Sequence, residues 1–317
     1  MAHTLPKVYF SVEEGFQNYP EEFYRTSRRI LSKLSDITDL FLVVPGDYNL
    51  EKGTIKKAFR FLSPTQLQQI LGEHQPEGDM FIIYGDETSK NIGLEFAKRQ
   101  YQFLQNLKSE GAFKQFLNEP ETEEATLKDR LVELSKDPSL NIAETIRYTS
   151  RDQTKRLIQK YGGQIILKPI FGCRGSGVTI VTSLDDLFAQ VNSEDELKRD
   201  YILQEPLDGS EVRVVLLDDQ LLCSRVHHNR KTPWDTTRSQ TTYDHSPTTD
   251  ELEITSRIST QVGAYLIGVD FIGPKVNEIN GTGTGLVIYD HTGNLIYDKT
   301  DEFVRHVMST IQEDHQT

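Results

Sequence analysis

The sequence predicts an α/β protein built from α+β lobes, with a mostly parallel sheet in the first third of the chain. Two observations predict it: short, continuously apolar runs alternate with amphipathic stretches up to about residue 118, and β-rich patterns dominate after residue 163. Continuous apolar runs are typical of parallel strands that helices cover on both faces. At roughly 150 residues per domain, 317 residues suggest two packed units or one three-lobed unit.

The first predicted domain is an N-terminal α/β domain over residues 1–118. Its strand candidates are 8–10, 40–44 and 80–84, and its helix candidates are 20–34 and 92–107. Turn signals such as Pro45-Gly46-Asp47 end the apolar runs. The pattern therefore predicts strands that alternate with helices around one parallel sheet.

Two further lobes are predicted, over residues 119–203 and 204–317. For the first we expect an acidic linker at 118–124, helices at 125–134, 152–161 and 184–191, and strands at 164–170, 178–181 and 201–203. For the second we expect strands at 212–217, 221–226, 267–272 and 275–279, and helices at 252–265 and 301–311. Asp218-Asp219 is the predicted hairpin turn, and residues 227–251 are expected to be a long polar loop.

Composition restricts the function classes. The net charge is −13, which argues against a general nucleic-acid or membrane-surface binder, because such partners require clustered Lys and Arg. With 36% hydrophobic residues the chain can build a core. Two cysteines are too few for a disulfide framework, the first residues do not resemble a signal peptide, and no apolar run approaches the ~20 residues of a membrane span. We therefore expect a cytoplasmic protein.

A glycine-rich loop lies between two predicted strands, in the segment that runs from Lys168 to Val178. Three glycines within six residues let the backbone turn tightly, and its N–H groups can hold phosphate oxygens. The loop lacks the Gly-Lys-Ser/Thr of a Walker A motif, and it leads into a strand rather than a helix, unlike the dinucleotide fingerprint. An ordinary flexible hairpin turn remains the alternative.

The predicted hairpin 267–279 carries Asp270 on one strand and Glu278 on the next, with Asn280 two residues further on. Period-two alternation places the three side chains on one face, and such oxygen donors suit Mg²⁺. A solvated hairpin edge is the alternative. Upstream, Glu211 and Arg213 lie two residues apart after a hinge-like segment, where a surface ion pair is the alternative. His227 and His228 are expected to be solvated loop residues rather than metal ligands.

The order of these segments resembles the ATP-grasp superfamily, with its closest likeness to the ATP-binding domain of bacterial glutathione synthetase. The resemblance rests on 166–170, on 268–273 with 277–280, on the hinge 203–213, and on Asn118 and Lys128 upstream. It covers about residues 116–290. It implies an ATP-grasp fold with an N-terminal pre-ATP-grasp domain, and it implies ATP and Mg²⁺ as cofactors, with Mn²⁺ as an alternative metal.

The resemblance also implies a role for each matching residue. The implied ATP-binding residues are Lys128, Lys168, Gly172, Arg174, Gly175, Ser176, Gly177, Gln204, Glu205, Leu207 and Glu211, with the glycine loop as a lid. The implied metal ligands are Asp270, Glu278 and Asn280. Arg213 and Arg238 would be catalytic, and substrate would contact Arg225, Arg238, Gly281 and Thr282.

The implied activity is ATP-dependent ligation of a carboxylate to an amine through an acyl phosphate. The substrates would be small molecules or peptides; the sequence leaves open which, and whether the protein is a homo-oligomer. The chain departs from the family on the acceptor side, at 238–244, at 281–285 and at Tyr84, which leaves glutathione as the product open. The alternative function is a nucleotide-binding regulatory or interaction module with this fold and no turnover.

Overall fold

The computed structural model describes residues 5–12, 29–63, 66–83, 94–124, 127–171, 177–228, 241–281, 285–289 and 294–314. These residues form three sheets of four or more strands, one additional hairpin and the helices that cover them. The α/β fold class predicted from the sequence is confirmed.

The first sheet has seven strands in the order β3-β4-β2-β1-β6-β7, with β5 paired to β4. Its strands are β1 Lys7–Ser11, β2 Asp39–Val43, β3 Tyr48–Asn49, β4 Thr54–Ser63, β5 Gln66–His74, β6 Gly78–Ile82 and β7 Phe113–Leu117. The strands β2, β1, β6 and β7 are parallel neighbours, as the apolar runs predict. The antiparallel hairpin of β4 and β5 was not predicted.

Both faces of the central parallel strands are buried, and successive side chains of a strand contribute to opposite faces. Val8 and Phe10 of β1 share one hydrophobic cluster with Phe303 and Val307 near the chain's end. Tyr9, between them, belongs to a second cluster on the other face. The helix Thr300–Asp314 is thereby joined to the first sheet by a continuous core.

The other two large sheets are antiparallel. The second has the order β10-β9-β11-β8 and the third β14-β13-β12-β15-β16. Their strands are β8 Thr145–Ile146, β9 Ile165–Pro169, β10 Thr179–Val181, β11 Tyr201–Gln204, β12 Glu211–Leu217, β13 Gln220–His228, β14 Thr241–Asp244, β15 Leu266–Ile272 and β16 Lys275–Asn280. A separate hairpin joins β17 Val287–Tyr289 to β18 Leu295–Asp298.

Local sequence explains where these elements end. Asp218 and Asp219 both have positive φ, 52° and 57°, as a tight hairpin turn between β12 and β13 requires. The helix Thr249–Val262 begins with a capping box between Thr248 and Glu251 and ends at Gly263, whose φ is 64°.

The α-helices begin and end as follows: 29–35, Leu94–Ser109, Pro120–Glu124, Arg130–Leu134, Arg151–Lys160, Leu184–Ala189, Glu194–Asp200, Thr249–Val262 and Thr300–Asp314. Short 3-10 turns cover Pro45–Asp47 and Pro138–Leu140. In the part of the chain that the structure describes, no helix combines the length and apolarity that crossing a bilayer demands.

Four local predictions need correction. The expected acidic linker contains the helix Pro120–Glu124, and the helix expected at 125–134 is confined to Arg130–Leu134 among its described residues. The segment 227–251 is not one long loop, because β13 continues to His228 and β14 begins at Thr241. His227 is a half-buried strand residue rather than a solvated loop residue.

Candidate active site

One face of the third sheet collects most of the described candidate residues. In the strand register Arg213 of β12 lies opposite Asp270 of β15, and Asp270 lies opposite Glu278 of β16. Residues directly opposite each other in antiparallel strands point to the same face. Asn280, two residues after Glu278, lies opposite Gly268, so it joins the same face.

Asp270 is the centre of this arrangement, and it is only 2% exposed. The Arg213 guanidinium donates to both carboxylate oxygens, from Nε to Oδ1 at 2.5 Å and from Nη2 to Oδ2 at 2.7 Å. The Asn280 amide donates to Oδ2 at 3.0 Å. A two-pronged Arg–carboxylate pair fixes both side chains, so Asp270 is held in one orientation.

Two lysines from outside the third sheet reach this face. Lys128 Nζ lies 2.9 Å from Glu278 Oε1, and both groups are shielded, the lysine strongly. Lys168 of β9 is 3% exposed and donates to Asn277 Oδ1 at 2.7 Å. Burial lowers the pKa of Lys168 to about 8, although the negative charge of Glu278 opposes that shift. The second and third sheets therefore meet here with cations facing carboxylates.

The hinge residues lie where β11 leaves the second sheet. Gln204 is buried and donates to Thr145 Oγ1 at 3.0 Å and to the Asn277 carbonyl at 3.3 Å. Glu205 is buried and pairs with Lys275. Leu207, two residues further on, is half-buried.

Glu211 is a buried carboxyl group on the same strand as Arg213, two residues before it. Burial raises its pKa, and the nearby negative charge of Asp270 adds to the shift. Glu211 therefore favours its protonated form, which can donate a hydrogen bond.

Arg225 of β13 lies directly opposite Arg213 in the register and is 5% exposed. Like charges in directly opposite positions destabilise a sheet unless other groups compensate. Asp270 compensates Arg213, but it makes no ion pair with Arg225.

Several predicted residues lie outside the described part of the chain. These are Gly172, Arg174, Gly175, Ser176, Arg238, Thr282 and Tyr84. At the end of the glycine loop, Gly177 has a φ of +76°, and a Cβ there would lie 2.8 Å from the Pro169 ring. Only glycine fits that position without a shift. Gly281, directly after the metal-ligand candidates, is buried.

Sequence reasoning missed two residues of the site, Asn277 and Tyr297. Asn277 is the extra residue of a β-bulge, because Asp270 pairs with Glu278 while Phe271 pairs with Val276. Strict alternation turns Asn277 away from the site, whereas a bulge re-aims its side chain. Tyr297 lies in the β17–β18 hairpin, which no strong sequence pattern marks, and only the folded chain brings it to Arg225.

The donor set on this face fits a magnesium ion. Two carboxylates and an amide oxygen are hard ligands, and Mg²⁺ is usually held by one or two carboxylates together with phosphate oxygens. Within the described residues, no group of three or more His, Cys, Asp or Glu is suited to a metal. Asp270, Glu278 and Asn280 thus suit an ion that shares its coordination with a bound phosphate group rather than a self-contained metal centre.

The model of one family, the ATP-grasp domain of prokaryotic glutathione synthetase, matches residues 135–289. This segment is an ATP-grasp domain. The match covers just under half of the chain and includes Lys168, the hinge, Glu211, Arg213 and the hairpin with Asp270 and Glu278. No curated protein matched the sequence.

Solved structures with the ATP-grasp fold match almost the whole chain. One is the ATP-grasp ligase PsnB complexed with a phosphomimetic variant of a minimal precursor, Mg and ADP, at 14% identity and a TM-score of 0.63, covering 97% of this chain and 100% of that one. The D-cycloserine synthetase DcsG matches at 12% identity with a TM-score of 0.63, covering 96% of this chain and 99% of that one. D-alanyl-alanine synthetase A from Vibrio cholerae matches at 13% identity with a TM-score of 0.61, covering 98% of both chains. The expected ATP-grasp fold is confirmed.

Proposed function

We propose that this protein is an ATP-dependent ligase that joins a carboxylate to an amine and releases ADP and phosphate. The observation that carries the proposal is the row formed by Arg213, Asp270 and Glu278 across three strands, with Lys128 and Lys168 facing it. Two carboxylates that suit a hard metal ion and three cationic side chains thus lie together on one largely buried face. Such a combination suits a metal-bound polyphosphate.

The cofactors are ATP and Mg²⁺. PsnB, which shares the fold, is described in complexes with Mg and ADP and with AMPPNP. In this chain Asp270, Glu278 and Asn280 would hold the ion, which would neutralise phosphate charge when bound. Lys128 and Lys168 would contact the phosphates, and the Glu211 carboxyl group would contact the ribose. The hinge residues Gln204, Glu205 and Leu207 would contact the adenine, and the glycine loop 172–177 would serve as the lid, as the family resemblance implies.

The chemistry requires activation of the carboxylate before the amine attacks. The γ-phosphoryl group passes from ATP to a carboxylate oxygen, which gives an acyl phosphate and ADP. The amine nitrogen then attacks the carbonyl carbon, phosphate leaves, and the amine gives up a proton. Arg213 and Arg238 offset the negative charge that develops on the transferred group, while positioning supplies most of the rate. A closed lid excludes water, which would otherwise hydrolyse the acyl phosphate.

The substrates belong to the classes of amino acids and peptides. Structures of the same fold include D-alanyl-alanine synthetase A and PsnB with the precursor peptide PsnA2. In this chain the acceptor would contact Arg225, Arg238, Gly281 and Thr282, and the N-terminal domain 1–118 would supply further contacts. The lobes 119–203 and 204–317 enclose the nucleotide between them.

The deciding experiment measures ADP release with Mg²⁺, ATP and a panel of amino acids, dipeptides and peptides. We expect release that depends on one acceptor pair, with an amide product of the matching mass. Asp270→Asn and Glu278→Gln should abolish release and keep the fold. Glu253→Gln, on an exposed helix surface, is the matched control and should remain active. Nucleotide binding without ADP release for any acceptor would instead identify a non-catalytic nucleotide-binding module.

A further inference from the structure

Asn277 is a buried residue at the place where the second and third sheets meet. Its side-chain Oδ1 accepts a hydrogen bond from Lys168 Nζ at 2.7 Å. Its backbone carbonyl accepts from Gln204 Nε2 at 3.3 Å. Lys168 lies in β9 and Gln204 in β11, so one residue of the third sheet holds two neighbouring strands of the second.

The β-bulge in β16 explains how Asn277 reaches across to the second sheet. Asn277 has no register partner on β15, so its side chain is released from the alternation of the ladder. The backbone just before it is held by the connecting segment 141–143. Val276 N donates to the Asn141 carbonyl at 3.1 Å, and Ala143 N donates to the Val276 carbonyl at 2.9 Å. The Asn277 side chain therefore projects from a fixed backbone.

The hinge is tied to the same point. Gln204 Nε2 also donates to Thr145 Oγ1 at 3.0 Å, and Thr145 Oγ1 donates to the Ala143 carbonyl at 2.7 Å. A chain of hydrogen bonds thus runs from the segment that connects the two sheets, through Gln204, to Asn277. The distance between the hinge and Lys168 is set by contacts that meet at this one residue.

Charged groups alone would not fix the Lys168 ammonium. The negative charge of Glu278 attracts it, and the positive charge of Lys128 repels it. A lysine side chain is flexible, so several positions among these charges are within its reach. A hydrogen bond from a charged donor is stronger than one between neutral groups, and the Asn277 oxygen selects one position. Because the amide is neutral, it leaves the positive charge of the lysine uncancelled.

We propose that Asn277 is a positioning residue that holds the Lys168 ammonium, through a neutral acceptor, at the point where it meets the nucleotide phosphates. The inference rests on the proposed function, because the contact between Lys168 and the phosphates belongs to it. It adds a residue that acts through the lysine and not on the nucleotide itself. The bulge in β16 thereby gains a role: it aims the acceptor from the third sheet at a lysine of the second.

The test is a double-mutant cycle on MgADP affinity, measured by calorimetry on the full-length protein. Asn277→Leu removes the acceptor and should weaken MgADP binding roughly five- to tenfold, as loss of one hydrogen bond to a charged group predicts. In the Lys168→Met background the same substitution should change the affinity less than about twofold, because the group that Asn277 positions is gone. Titration to millimolar MgADP keeps the weaker binding of this background measurable.

Urea denaturation of the same four proteins gives a second readout that needs no nucleotide. Asn277→Leu leaves the buried ammonium without its acceptor and should lower the urea midpoint. The double variant should regain this loss, because two apolar side chains then meet. Asn106→Leu is the matched control, since Asn106 accepts from Gln102 at 3.2 Å on an exposed helix surface. It should leave MgADP affinity unchanged in both backgrounds.

Two outcomes would overturn the inference. The first is an unchanged MgADP affinity in Asn277→Leu. The second is an equal loss of affinity in both backgrounds, which would mean that Asn277 acts on the fold and not through Lys168. Both leave the ligase proposal standing, because the wild type still binds MgADP, whereas a wild type without MgADP binding refutes the proposed function itself.

Two provisions keep the test decisive. If Lys168→Met binds MgADP too weakly to titrate, the urea comparison decides, and additive losses of stability overturn the inference. If Asn277→Leu does not fold, Asn277→Ala replaces it, because alanine also lacks the acceptor.

Discussion

Arg213 lies directly opposite Asp270 in the third sheet and donates hydrogen bonds to both of its carboxylate oxygens. The pair is almost fully buried, with side-chain exposures of 16% and 2%. Asp270 therefore has two tasks: it compensates a buried guanidinium, and it is the most shielded of the metal-ligand candidates. The two tasks separate when different substitutions are compared.

Replacing Asp270 tests the first task. Asp270→Ala leaves the Arg213 guanidinium buried without its partner and should lower the free energy of unfolding by about 3–5 kcal/mol. Asp270→Asn keeps a hydrogen-bond acceptor and should lower the free energy of unfolding less. Both variants should lose ADP release. Urea denaturation at pH 7 measures the difference. A loss below about 1 kcal/mol in Asp270→Ala would show that Arg213 finds another partner, since breaking a buried pair normally costs more.

Glu278 provides a test of metal binding that does not depend on turnover. Its carboxylate faces Lys128 at 2.9 Å and would repel nucleotide phosphates unless a cation lies between them. Glu278→Gln should therefore reduce ADP affinity in the presence of Mg²⁺ by at least roughly tenfold, as loss of a metal ligand predicts. In EDTA its ADP affinity should equal or exceed that of the wild type.

The matched control for this comparison is Glu133→Gln, an exposed carboxylate that pairs with Lys136 on a helix surface. It should behave as wild type with Mg²⁺ and with EDTA. Equal losses of affinity for Glu278→Gln under the two conditions would argue that this residue does not bind the metal.

The fold could be predicted where apolar runs mark buried strands. Val8, Leu40 and Met80 begin such runs in β1, β2 and β6, and each lies in the central parallel part of the first sheet. The β4–β5 hairpin escaped prediction for a physical reason. Lys56-Lys57 interrupts the alternation of β4, and every residue of β5 is exposed or half-buried, so its sequence carries no core pattern.

Within the candidate site, alternation along two strands was enough to bring Asp270, Glu278 and Asn280 to one face. Contacts between distant segments were not predictable. Arg225 and Tyr297 are 72 residues apart, and neither lies in a motif that names the other. Asn277 escaped because the β-bulge breaks the alternation on which the prediction relied.

Asn118 joins the first and third sheets through buried side-chain hydrogen bonds. It is fully buried with a φ of 43°, its Oδ1 accepts from the backbone N–H groups of Tyr265 and Leu266 at 2.9 and 2.8 Å, and its Nδ2 donates to the Leu266 carbonyl at 2.6 Å. Asn118→Ala should lower the free energy of unfolding by about 3 kcal/mol, because buried backbone groups lose their partners and alanine is strained at positive φ.

Asn141 supplies the matched control for this clamp. It also has a positive φ, 46°, but it is exposed, and its amide donates to the Pro274 carbonyl. Asn141→Ala should cost about 1 kcal/mol, mostly from backbone strain. Equal losses for the two substitutions in urea denaturation would show that backbone conformation, rather than the buried hydrogen bonds, accounts for the effect at Asn118.

Lys168 gives the site a pH dependence whose sign can be derived. Burial lowers its pKa in the folded protein from the ordinary 10.5 to about 8. Between pH 8 and 10.5 the unfolded chain therefore binds more protons at this lysine than the folded chain does, so stability contributed by this group rises with pH across that window. Below pH 8 the full cost of the buried charge is present.

Lys168→Met removes that cost at similar volume. The variant should be more stable than the wild type by about 1–3 kcal/mol at pH 7, as for other buried charges replaced by apolar groups. This difference in the free energy of unfolding should narrow towards pH 10.

The ADP affinity of the wild type should fall as the pH rises above about 8, because the lysine loses the charge that attracts phosphates. The ADP affinity of the variant should be low at pH 7 and should not change with pH. Lys136→Met, on an exposed surface, controls for general effects of pH. Urea denaturation and ADP titration at pH 7, 8, 9 and 10 measure the free energy of unfolding and the ADP affinity. A stability difference between variant and wild type that stays constant across this range would contradict the lowered pKa of Lys168.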